Sequence, residues 1–346
     1  MFNSTIRIVA MALCAMGAAQ AAQKYSVVEL PVESVDTVDN NALDAAGFDG
    51  LDRAYVNVQG YDNGVERRVV QRCTNAPKCR IVPPSEPKSS WQQIRGSVAG
   101  GWLVESDGSF TAARRRGTAP VERLVPNATA HGINRDGVAV GFTLDEPYQP
   151  FLYDQDVTLL PTLGAGHFAR AYAINSQGVV VGEAEHPQRL NVCAVSWVNG
   201  ELKVLSCPPA GRDATAVDVN IHGVAVGDSH LPQGGRHAVR YESGRVIDLG
   251  ALGDPDVNGS WATAINDRGV VVGYGINLPT DGFPNAILFD PIEGALELAS
   301  LVPEEDRRKY YFQDAQAISN AGHILVRGTR WSDLRQVMLR LEPLPQ

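Results

Sequence analysis

Long apolar runs are almost absent from this sequence. One run of 12 residues, Ile8 to Ala19, lies near its start, and no later stretch reaches the roughly 18 apolar residues that a membrane-spanning helix needs. Arg7 is the only charge before the run, and Ala19-Gln20-Ala21 has small residues at the two positions that a signal peptidase reads. We therefore expect residues 1–21 to be a secretory signal peptide and residues 22–346 to form one domain that does not span a membrane.

Cysteine is also scarce. Without residues 1–21 the cysteines are Cys73, Cys79, Cys193 and Cys207, and an even number in a secreted chain indicates two disulfide bonds, for which three pairings exist. The first two flank a five-residue turn, and the last two flank a predicted hairpin that turns near Asn199-Gly200. We therefore predict the two local bridges, Cys73–Cys79 and Cys193–Cys207.

Basic residues are fewer than acidic ones. The chain has 30 Lys and Arg against 39 Asp and Glu, a net charge of −9, which argues against the binding of duplex nucleic acid. The histidines are scattered, without an HExxH motif or other paired metal-ligand spacing, so we predict no metal centre and no cofactor. A weak calcium site is a lesser alternative. An acidic cluster near the start of the domain could form it, but its spacing is not that of a calcium loop; its members are Asp36, Asp39, Asp44, Asp49 and Asp52.

One stretch, by contrast, is present in several copies. Residues 261–273 read WATAINDRGVVVG, near-copies end at Gly141, Gly182 and Gly227, and a weaker copy ends at Gly322. Asn266 suits the first position of a type I turn, Gly269 suits the position with positive φ, and the valines that follow favour a strand. Each copy therefore predicts a tight β-hairpin.

The spacing of these turns predicts the fold. The turn positions Asn134, Asn175, Asn220, Asn266 and Ser319 are 41, 45, 46 and 53 residues apart, the length of a four-stranded propeller blade. With two degenerate units before them, the repeats give units near 42–84, 91–125, 128–164, 169–210, 214–253, 260–301 and 314–343. Residues 24–32 read as a lone strand, and the last unit is one strand short.

We therefore predict an all-β fold, a seven-bladed β-propeller closed by the N-terminal strand, because closure removes exposed sheet edges. The runner-up is six blades plus an irregular N-terminal subdomain. A linear β-solenoid is less favoured, since it would not need the N-terminal strand to complete its last unit.

The repeat resembles that of a known family, the bacterial extracellular HAF-repeat family. The residues that carry the resemblance are Arg236-His237-Ala238-Val239, the segment 246–253 (VIDLGALG), and Ala264-Ile265-Asn266 with Gly269 and Gly273. The match covers residues 91–343 well and 24–90 poorly, and the HAF element is degenerate in other units, as at Pro150-Phe151-Leu152. The resemblance implies a secreted or envelope protein built as a repeat array, and it carries over no catalytic residue.

Connections in such a propeller alternate between two faces. The Asn-x-x-Gly turns lie on one, the turn face, and the longer connections 143–149, 183–191, 228–236 and 275–284 lie on the other, the loop face. Because function usually resides on variable loops over a rigid scaffold, we expect a ligand site on the loop face around the central funnel. The candidate ligand-binding residues are Arg170, Glu183, Asp218, Asp228, Trp261, Tyr274 and Asp314.

Asp218 occupies a position where other units have glycine or alanine. A carboxylate near the crowded axis is costly unless it is hydrogen-bonded or paired. Asp218 either binds a cation or ligand in the channel or accepts hydrogen bonds from neighbouring inner strands, and we favour the second interpretation. The basic run at 113–117, Ala-Arg-Arg-Arg-Gly, is interpreted as a solvated hairpin, with contact to an anionic envelope polymer as the alternative.

These features together predict a non-enzymatic secreted or periplasmic binding or scaffold protein, a monomer whose loop-rich face takes a protein, a peptide or an envelope glycan. The alternative is a propeller hydrolase or lyase that acts on an extracellular saccharide or lactone. That enzyme would need at least two carboxylates to converge within about 5–10 Å. The candidates for this are Glu183, Asp213, Asp218, Asp228 and Asp314.

Overall fold

A computed structural model of the chain describes residues 23–34, 42–62, 65–74, 78–82, 90–165, 167–189, 191–232, 234–277 and 282–345. The predicted signal peptide, Asp36 and Asp39 lie outside these ranges. Within the ranges, no helix has the length and apolar character needed to cross a membrane.

The chain forms seven antiparallel sheets of four strands each. Blade 1 contains β2–β5, blade 2 contains β6–β9 and blade 3 contains β10–β13. Their bounds are Ala42–Phe48, Ala54–Asp62, Val65–Cys73 and Arg80–Ile81; Ser90–Arg95, Val98–Val104, Phe110–Arg116 and Glu122–Pro126; and Ala128–Ile133, Ala139–Thr143, Pro150–Tyr153 and Val157–Leu159.

Blade 4 contains β14–β17, blade 5 contains β18–β21 and blade 6 contains β22–β25. Their bounds are Ala169–Ile174, Val180–Glu185, Val192–Val198 and Glu201–Ser206; Ala214–Val219, Ala225–Leu231, Gly234–Glu242 and Arg245–Asp248; and Gly259–Ile265, Val271–Ile276, Pro284–Asp290 and Gly294–Glu297. A 3-10 turn, Leu298–Leu301, and one short helix, α1 (Glu304–Lys309), lead into the last blade.

Blade 7 is built from both ends of the described chain. It contains β26 (Tyr310–Ile318), β27 (Ile324–Arg330), β28 (Arg335–Pro343) and the N-terminal β1 (Tyr25–Glu29), which pairs antiparallel with β28. The backbone N–H of Leu30 extends this pairing by donating to the Met338 carbonyl at 2.9 Å. The predicted seven-bladed propeller and its closure by the N-terminal strand are thus confirmed, and the six-bladed runner-up is wrong because residues 42–81 form a complete blade.

Small residues surround the axis of the ring. The innermost strand of each blade contacts the innermost strands of both neighbours, and contact between β2 and β26 joins the first blade to the seventh. Alanines such as Ala130, Ala171 and Ala216 are fully buried there, whereas bulky side chains such as Phe151 and Trp197 fill the wider gaps further out. Strands that converge on an axis leave room only for small side chains, which explains the alanine-rich start of each repeat.

The turn asparagines, Asn134, Asn175, Asn220 and Asn266, connect successive blades on the turn face. In each, Oδ1 accepts two backbone N–H groups of its own turn; for Asn266 these come from Arg268 at 3.1 Å and Val270 at 3.0 Å. Nδ2 donates to the backbone carbonyl of the next turn, at 3.3 Å for Asn134 to Asn175, 2.9 Å for Asn175 to Asn220, 3.3 Å for Asn220 to Asn266 and 3.0 Å for Asn266 to Ser319. One side chain therefore closes its own hairpin and fixes the neighbouring blade.

The second glycine of each repeat is required by a close backbone approach. A Cβ added to Gly141 would lie 1.8 Å from the Thr129 carbonyl oxygen, and one added to Gly273 would lie 1.9 Å from that of Trp261. The innermost strand has a β-bulge at this point in every blade. The bulge brings its backbone against the second strand, so that a side chain there has no room.

The histidine and the aspartate of the HAF-like segments meet in blade 5. His237 is buried; its Nδ1 lies 3.0 Å from Asp248 Oδ1, and its Nε2 lies 2.8 Å from the Pro255 carbonyl oxygen. Both ring nitrogens thus face acceptors, and the hydrogen bond with Asp248 raises the pKa of His237 above its usual value. His237 therefore ties the third strand of the blade to the fourth strand through Asp248 and to the segment that leads into blade 6 through Pro255.

Both predicted disulfide bonds, Cys73–Cys79 and Cys193–Cys207, are formed. Two other expectations are corrected. The connection predicted over 228–236 is instead the end of a hairpin, since β19 continues to Leu231 and β20 begins at Gly234. The basic run at 113–117 is not a solvated hairpin, because it lies in and just after β8 and its arginines Arg114 and Arg115 are only 6% and 5% exposed.

We expect Asn266→Ala to destabilise the protein. The change removes the three hydrogen bonds of a buried side chain, so that the free energy of unfolding should fall by about 2–4 kcal/mol in urea denaturation. Asn320→Ala is the matched control, because Asn320 lies on the same face but is exposed, where its bonds to Asp267 contribute little. Equal losses in the two variants would contradict the bridging role of the turn asparagines.

The pair of His237 and Asp248 should make stability depend on pH. Since the folded-state pKa of His237 is raised, its stabilising contribution is complete below the unfolded value of about 6.5 and is lost as pH rises through the folded value. Asp248→Asn should therefore destabilise the protein more at about pH 5.5 than at about pH 9 in urea denaturation. Asp290→Asn is the control: Asp290 Oδ1 accepts backbone N–H groups of its own turn, and a pH-independent loss is expected.

Candidate functional site

Seven cross-strand pairs form the rim of the funnel on the loop face. In each blade, the β-bulge leaves one residue of the innermost strand without a partner on the second strand, and we call it the bulged residue. The residue two positions before it lies directly opposite a residue of the second strand. These rim pairs are Asp44/Asn57, Ser90/Trp102, Thr129/Phe142, Arg170/Glu183, Thr215/Asp228, Trp261/Tyr274 and Asp314/Arg327. Strand register thus brings six of the seven candidate residues into one ring, and only Asp218 lies outside it.

The bulged residues line a cavity of about 340 Å³ at the axis, beneath the rim. They are Ala46, Gln92, His131, Tyr172, Val217, Thr263 and Gln316. Most of them carry hydrogen-bonding groups. Sequence reasoning missed this set, although a signal for it exists: it is the variable position between the two small residues of the A-x-A-I-N pattern.

Asp218 lies deeper in the channel. Its Oδ2 accepts the backbone N–H of Ile265, on the neighbouring inner strand, at 3.0 Å, and its Oδ1 accepts that of Val219 at 2.9 Å. The favoured interpretation, acceptance of bonds from neighbouring inner strands, therefore describes Asp218 correctly. Burial nevertheless raises the pKa of this carboxyl.

Asp218 has a further partner that the sequence did not reveal. Arg95 Nη2 donates to Asp218 Oδ1 at 3.1 Å. The two residues belong to blades 2 and 5, which are not neighbours in the ring, so the ion pair crosses the channel. Arg95 lines the axial cavity and also a second cavity of about 180 Å³ on the turn face, so the pair stands between them.

Aromatic rings enclose the guanidinium of Arg170. It lies 4.4 Å from the ring centroid of Tyr148, 4.9 Å from that of Phe168 and 5.5 Å from that of Phe142, within the range of cation–π contact. His131 stacks on Phe142 with centroids 4.8 Å apart. Burial lowers the pKa of His131 to about 4, with a smaller contribution from the charge of Arg170. The imidazole is therefore neutral at physiological pH.

Glu183 is the best-connected carboxylate of the rim. It accepts hydrogen bonds from Arg170 Nη1 at 2.7 Å, from the Tyr172 hydroxyl at 2.7 Å and from Thr215 Oγ1 at 3.2 Å. The last bond reaches from blade 4 to blade 5. Burial and the nearby Glu183 carboxylate raise the pKa of Tyr172, so this hydroxyl stays protonated and donates.

The other three rim carboxylates, Asp44, Asp228 and Asp314, are also paired with arginines. Arg236 Nε donates to Asp228 Oδ2, and Arg327 Nε donates to Asp314 Oδ2 at 2.9 Å. Burial raises the pKa of the Asp228 and Asp314 carboxyls. For Asp228 the neighbouring charge of Glu183 raises it further, so these two acids of blades 4 and 5 interact. Two neighbouring carboxylates are thus present at the rim, and each is held by its own arginine.

Trp261 and Tyr274 form an aromatic platform on blade 6. Their rings stack with centroids 5.2 Å apart and an interplanar angle of 16°, and both side chains are half-buried. Gly259 permits this arrangement, because a Cβ there would come within 2.6 Å of the Trp261 indole. The platform lies between the ion pairs Asp228–Arg236 and Asp314–Arg327 of the adjacent blades. Aromatic and charged groups therefore alternate along this side of the funnel.

Asp213 does not belong to the rim. Its Oδ1 accepts the backbone N–H of Val192 at 2.8 Å, and its own N–H donates to His230 Nδ1 at 2.9 Å, so it fixes a loop. Among the residues that the structure describes, no group of three or more His, Cys, Asp or Glu side chains is arranged to hold a metal ion.

Comparisons with known proteins find distant structural similarities alone. No protein-family model matches the chain, and no curated protein matches it. Among solved structures, it is similar to one of two prolyl endopeptidases (9% identity, TM-score 0.46, 89% of this chain and 51% of that one) and to a Trypanosoma rangeli sialidase solved with sialic acid (10%, 0.37, 92% and 57%). It is also similar to the six-bladed, fucose-recognising Aleuria aurantia lectin (9%, 0.31, 74% and 94%). The chain spans about half the length of the peptidase.

Arg95→Met should destabilise the protein in a pH-dependent way. The change leaves Asp218 buried without its ion-pair partner, which should cost about 2–4 kcal/mol of unfolding free energy near pH 7. The loss should shrink as the pH falls, because the raised pKa lets Asp218 take up a proton at a higher pH than an ordinary carboxyl, and a protonated Asp218 leaves no charge unpaired. Arg135→Met, at an exposed arginine of the turn face, is the control. A pH-independent loss in Arg95→Met would show that the ion pair is not the cause.

Proposed function

We propose that this chain is a secreted or periplasmic β-propeller binding protein of the HAF-repeat type, whose funnel on the loop face takes an envelope glycan. The observation that carries the proposal is the aromatic platform of Trp261 and Tyr274 between two arginine–carboxylate pairs. The proposal of an extracytoplasmic location is supported by the two disulfide bonds, which persist in oxidising compartments.

A sugar ring matches this arrangement chemically. One face of a pyranose presents C–H groups that pack on an aromatic ring, while its hydroxyls donate to carboxylates and accept from guanidinium groups. The platform supplies the first surface, and Asp228 with Arg236 and Asp314 with Arg327 supply the second on either side. Below them, the axial cavity offers further hydrogen-bonding groups from the bulged residues, among them Thr263 and Gln316.

A glycan fits better than a duplex nucleic acid or a strongly charged peptide. The rim arginines are already neutralised by Glu183, Asp228 and Asp314, so that the funnel presents hydrogen-bonding groups in both senses rather than a field of one sign. A ligand rich in neutral hydroxyls uses donors and acceptors together without having to break these pairs.

A second candidate function is a glycan hydrolase. It is favoured by one observation, the neighbouring carboxylates Glu183 and Asp228, of which Asp228 has a pKa raised by burial and by its neighbour. Acid–base cleavage of a glycosidic bond uses two neighbouring carboxyl groups, one of which has a raised pKa. Binding remains the leading proposal because Glu183 already accepts three hydrogen bonds and Asp228 is tied to Arg236.

The test uses the folded mature chain and envelope saccharides, namely peptidoglycan fragments and lipopolysaccharide core oligosaccharides. An array screen followed by isothermal titration should find a saccharide that binds. Trp261→Ala should raise its dissociation constant by roughly 30-fold, as expected for an aromatic anchor. Trp331→Ala is the control, since this tryptophan is 51% exposed and lies outside the rim pairs.

Three outcomes decide between the candidates. Binding that survives Trp261→Ala, or the absence of any binding saccharide, would contradict the glycan proposal. The release of new reducing ends, lost in Asp228→Asn, would favour the hydrolase. Binding without turnover supports the leading proposal.

A further inference from the structure

The three arginines of β8 have different environments. Because side chains alternate along a strand, Arg114 and Arg116 face blade 3 and Arg115 faces blade 1. Arg114 donates to both Glu122 carboxylate oxygens, at 2.7 and 2.8 Å, and to the carbonyls of Gly137 and Asp154. Arg116 donates to the Asp136 carbonyl at 2.6 Å. Both therefore have structural partners.

Arg115 has none of this support. It is 5% exposed, and its Nε is enclosed without a hydrogen-bond partner among the described residues. Burial lowers its pKa, and no carboxylate of the described chain offsets that cost. A buried cation without a partner is expensive, so Arg115 calls for an anionic group that the described part of the chain does not supply.

Arg115 lines a cleft of about 770 Å³ between blades 1 and 2. The cleft opens on the turn face, because the turn residues Gly96, Ser97, Gly117 and Thr118 border it. It is therefore separate from the funnel, which opens on the loop face. Its volume lies in the range of small-molecule sites.

The opposite wall carries more positive charge. Tyr55, Arg72 and Arg80 are directly opposite one another on three adjacent strands of blade 1, and all three line the cleft. Arg72 is hydrogen-bonded to the Tyr55 hydroxyl, whereas Arg80 is exposed and has no ion pair within the described chain. Arg53 also lines the cleft, but it is paired with Asp49 at 2.6 Å.

No acidic residue is among the described residues that line this cleft, although the whole chain has a net charge of −9. The remaining wall is largely apolar, and includes Val70, Ile81, Trp91, Ile94 and Val98. Within the described residues, the cleft thus combines an apolar surface with two guanidinium groups that have no ion pair. An inorganic ion would satisfy the guanidinium groups only.

We propose that the cleft between blades 1 and 2 binds a small organic anion, in which a carboxylate or a phosphate is joined to an apolar body. Arg115 and Arg80 pair with the anionic group from the two sides, and the apolar wall covers the body. The disulfide Cys73–Cys79 fixes the turn that follows Arg72 and precedes Arg80, and so holds the basic wall in place. This site is independent of the glycan proposal.

The test is isothermal titration of the mature chain with dodecanoate and with dodecyl phosphate, and with dodecanol as the uncharged probe of the same length. Both anions should bind once per chain and more tightly than dodecanol. Arg115→Met and Arg80→Met should each weaken anion binding by at least about tenfold, the loss of one charge-assisted hydrogen bond, and should leave dodecanol unaffected. Arg245→Met, at an exposed arginine of blade 5, is the matched control.

Urea denaturation distinguishes an Arg115 that binds a ligand from an Arg115 that only stabilises the fold. Without a ligand, Arg115→Met should be at least as stable in urea as the unaltered chain, because the variant no longer buries an unpaired charge. At the same concentration, dodecyl phosphate should raise the urea midpoint of the unaltered chain more than that of the variant.

Several results would overturn the proposal. These are the absence of saturable binding of either anion, unchanged binding in both Arg115→Met and Arg80→Met, or equal affinity for dodecanol. Inorganic phosphate as tight as dodecyl phosphate would refute the role of the apolar wall. Since Arg80 is exposed, its variant keeps the test valid even if Arg115→Met does not fold.

Discussion

The whole ring depends on how each blade is held at a fixed angle to the next one. The turn asparagines do this on one face, where a single amide accepts from its own turn and donates to the next blade. A hydrogen bond of this kind contributes only about 1 kcal/mol, but a buried amide that lost its partners would cost more, so blades 3 to 6 are each held in one favourable orientation towards the next. The inner strands can then approach closely enough that only alanine and glycine fit, and the bulge that this approach produces turns one side chain per blade towards the axis.

That geometry explains why the loop-face end of the channel is polar. The rim pairs lie opposite each other because the bulge sets their register, and the bulged residues beneath them carry most of the hydrogen-bonding groups of the axial cavity. The ion pair of Arg95 and Asp218 then separates this cavity from the turn face. The scaffold is uniform from blade to blade, while the residues at the rim and the bulge differ, so chemical variety is confined to the positions that face a ligand.

Local chemistry made much of this predictable from the sequence. Asn266 with Gly269 predicts a turn, and the repeat length predicts a blade. The lone strand at 24–32 predicts the closure of the ring, because the last unit is one strand short. The positions of the rim residues follow from the same repeat. The arginine partners of the carboxylates could not be predicted in this way. Arg236 and Arg327 lie on strands whose register depends on the bulges. Arg95 lies 123 positions away from Asp218 in the sequence and reaches it across the ring. The error at 113–117 has the same origin, because a basic run next to a glycine resembles a surface turn, and only the packing of blades 1, 2 and 3 buries Arg114 and Arg115.

Joining β1 to β28 has a consequence for the order of folding. Each hairpin inside a blade closes a loop of only a few residues. The pairing of Tyr25 with Pro343, by contrast, encloses nearly the entire described chain in one loop, so the entropic cost of this pairing is set by the length of that loop. Contacts of such high sequence separation form slowly. The inner blades can therefore assemble from local pairings in sequence order, and the last blade can be completed only after the final strand is available. Until β1 pairs with it, β28 keeps an unpaired edge, so the step most exposed to competition from other chains is the last one.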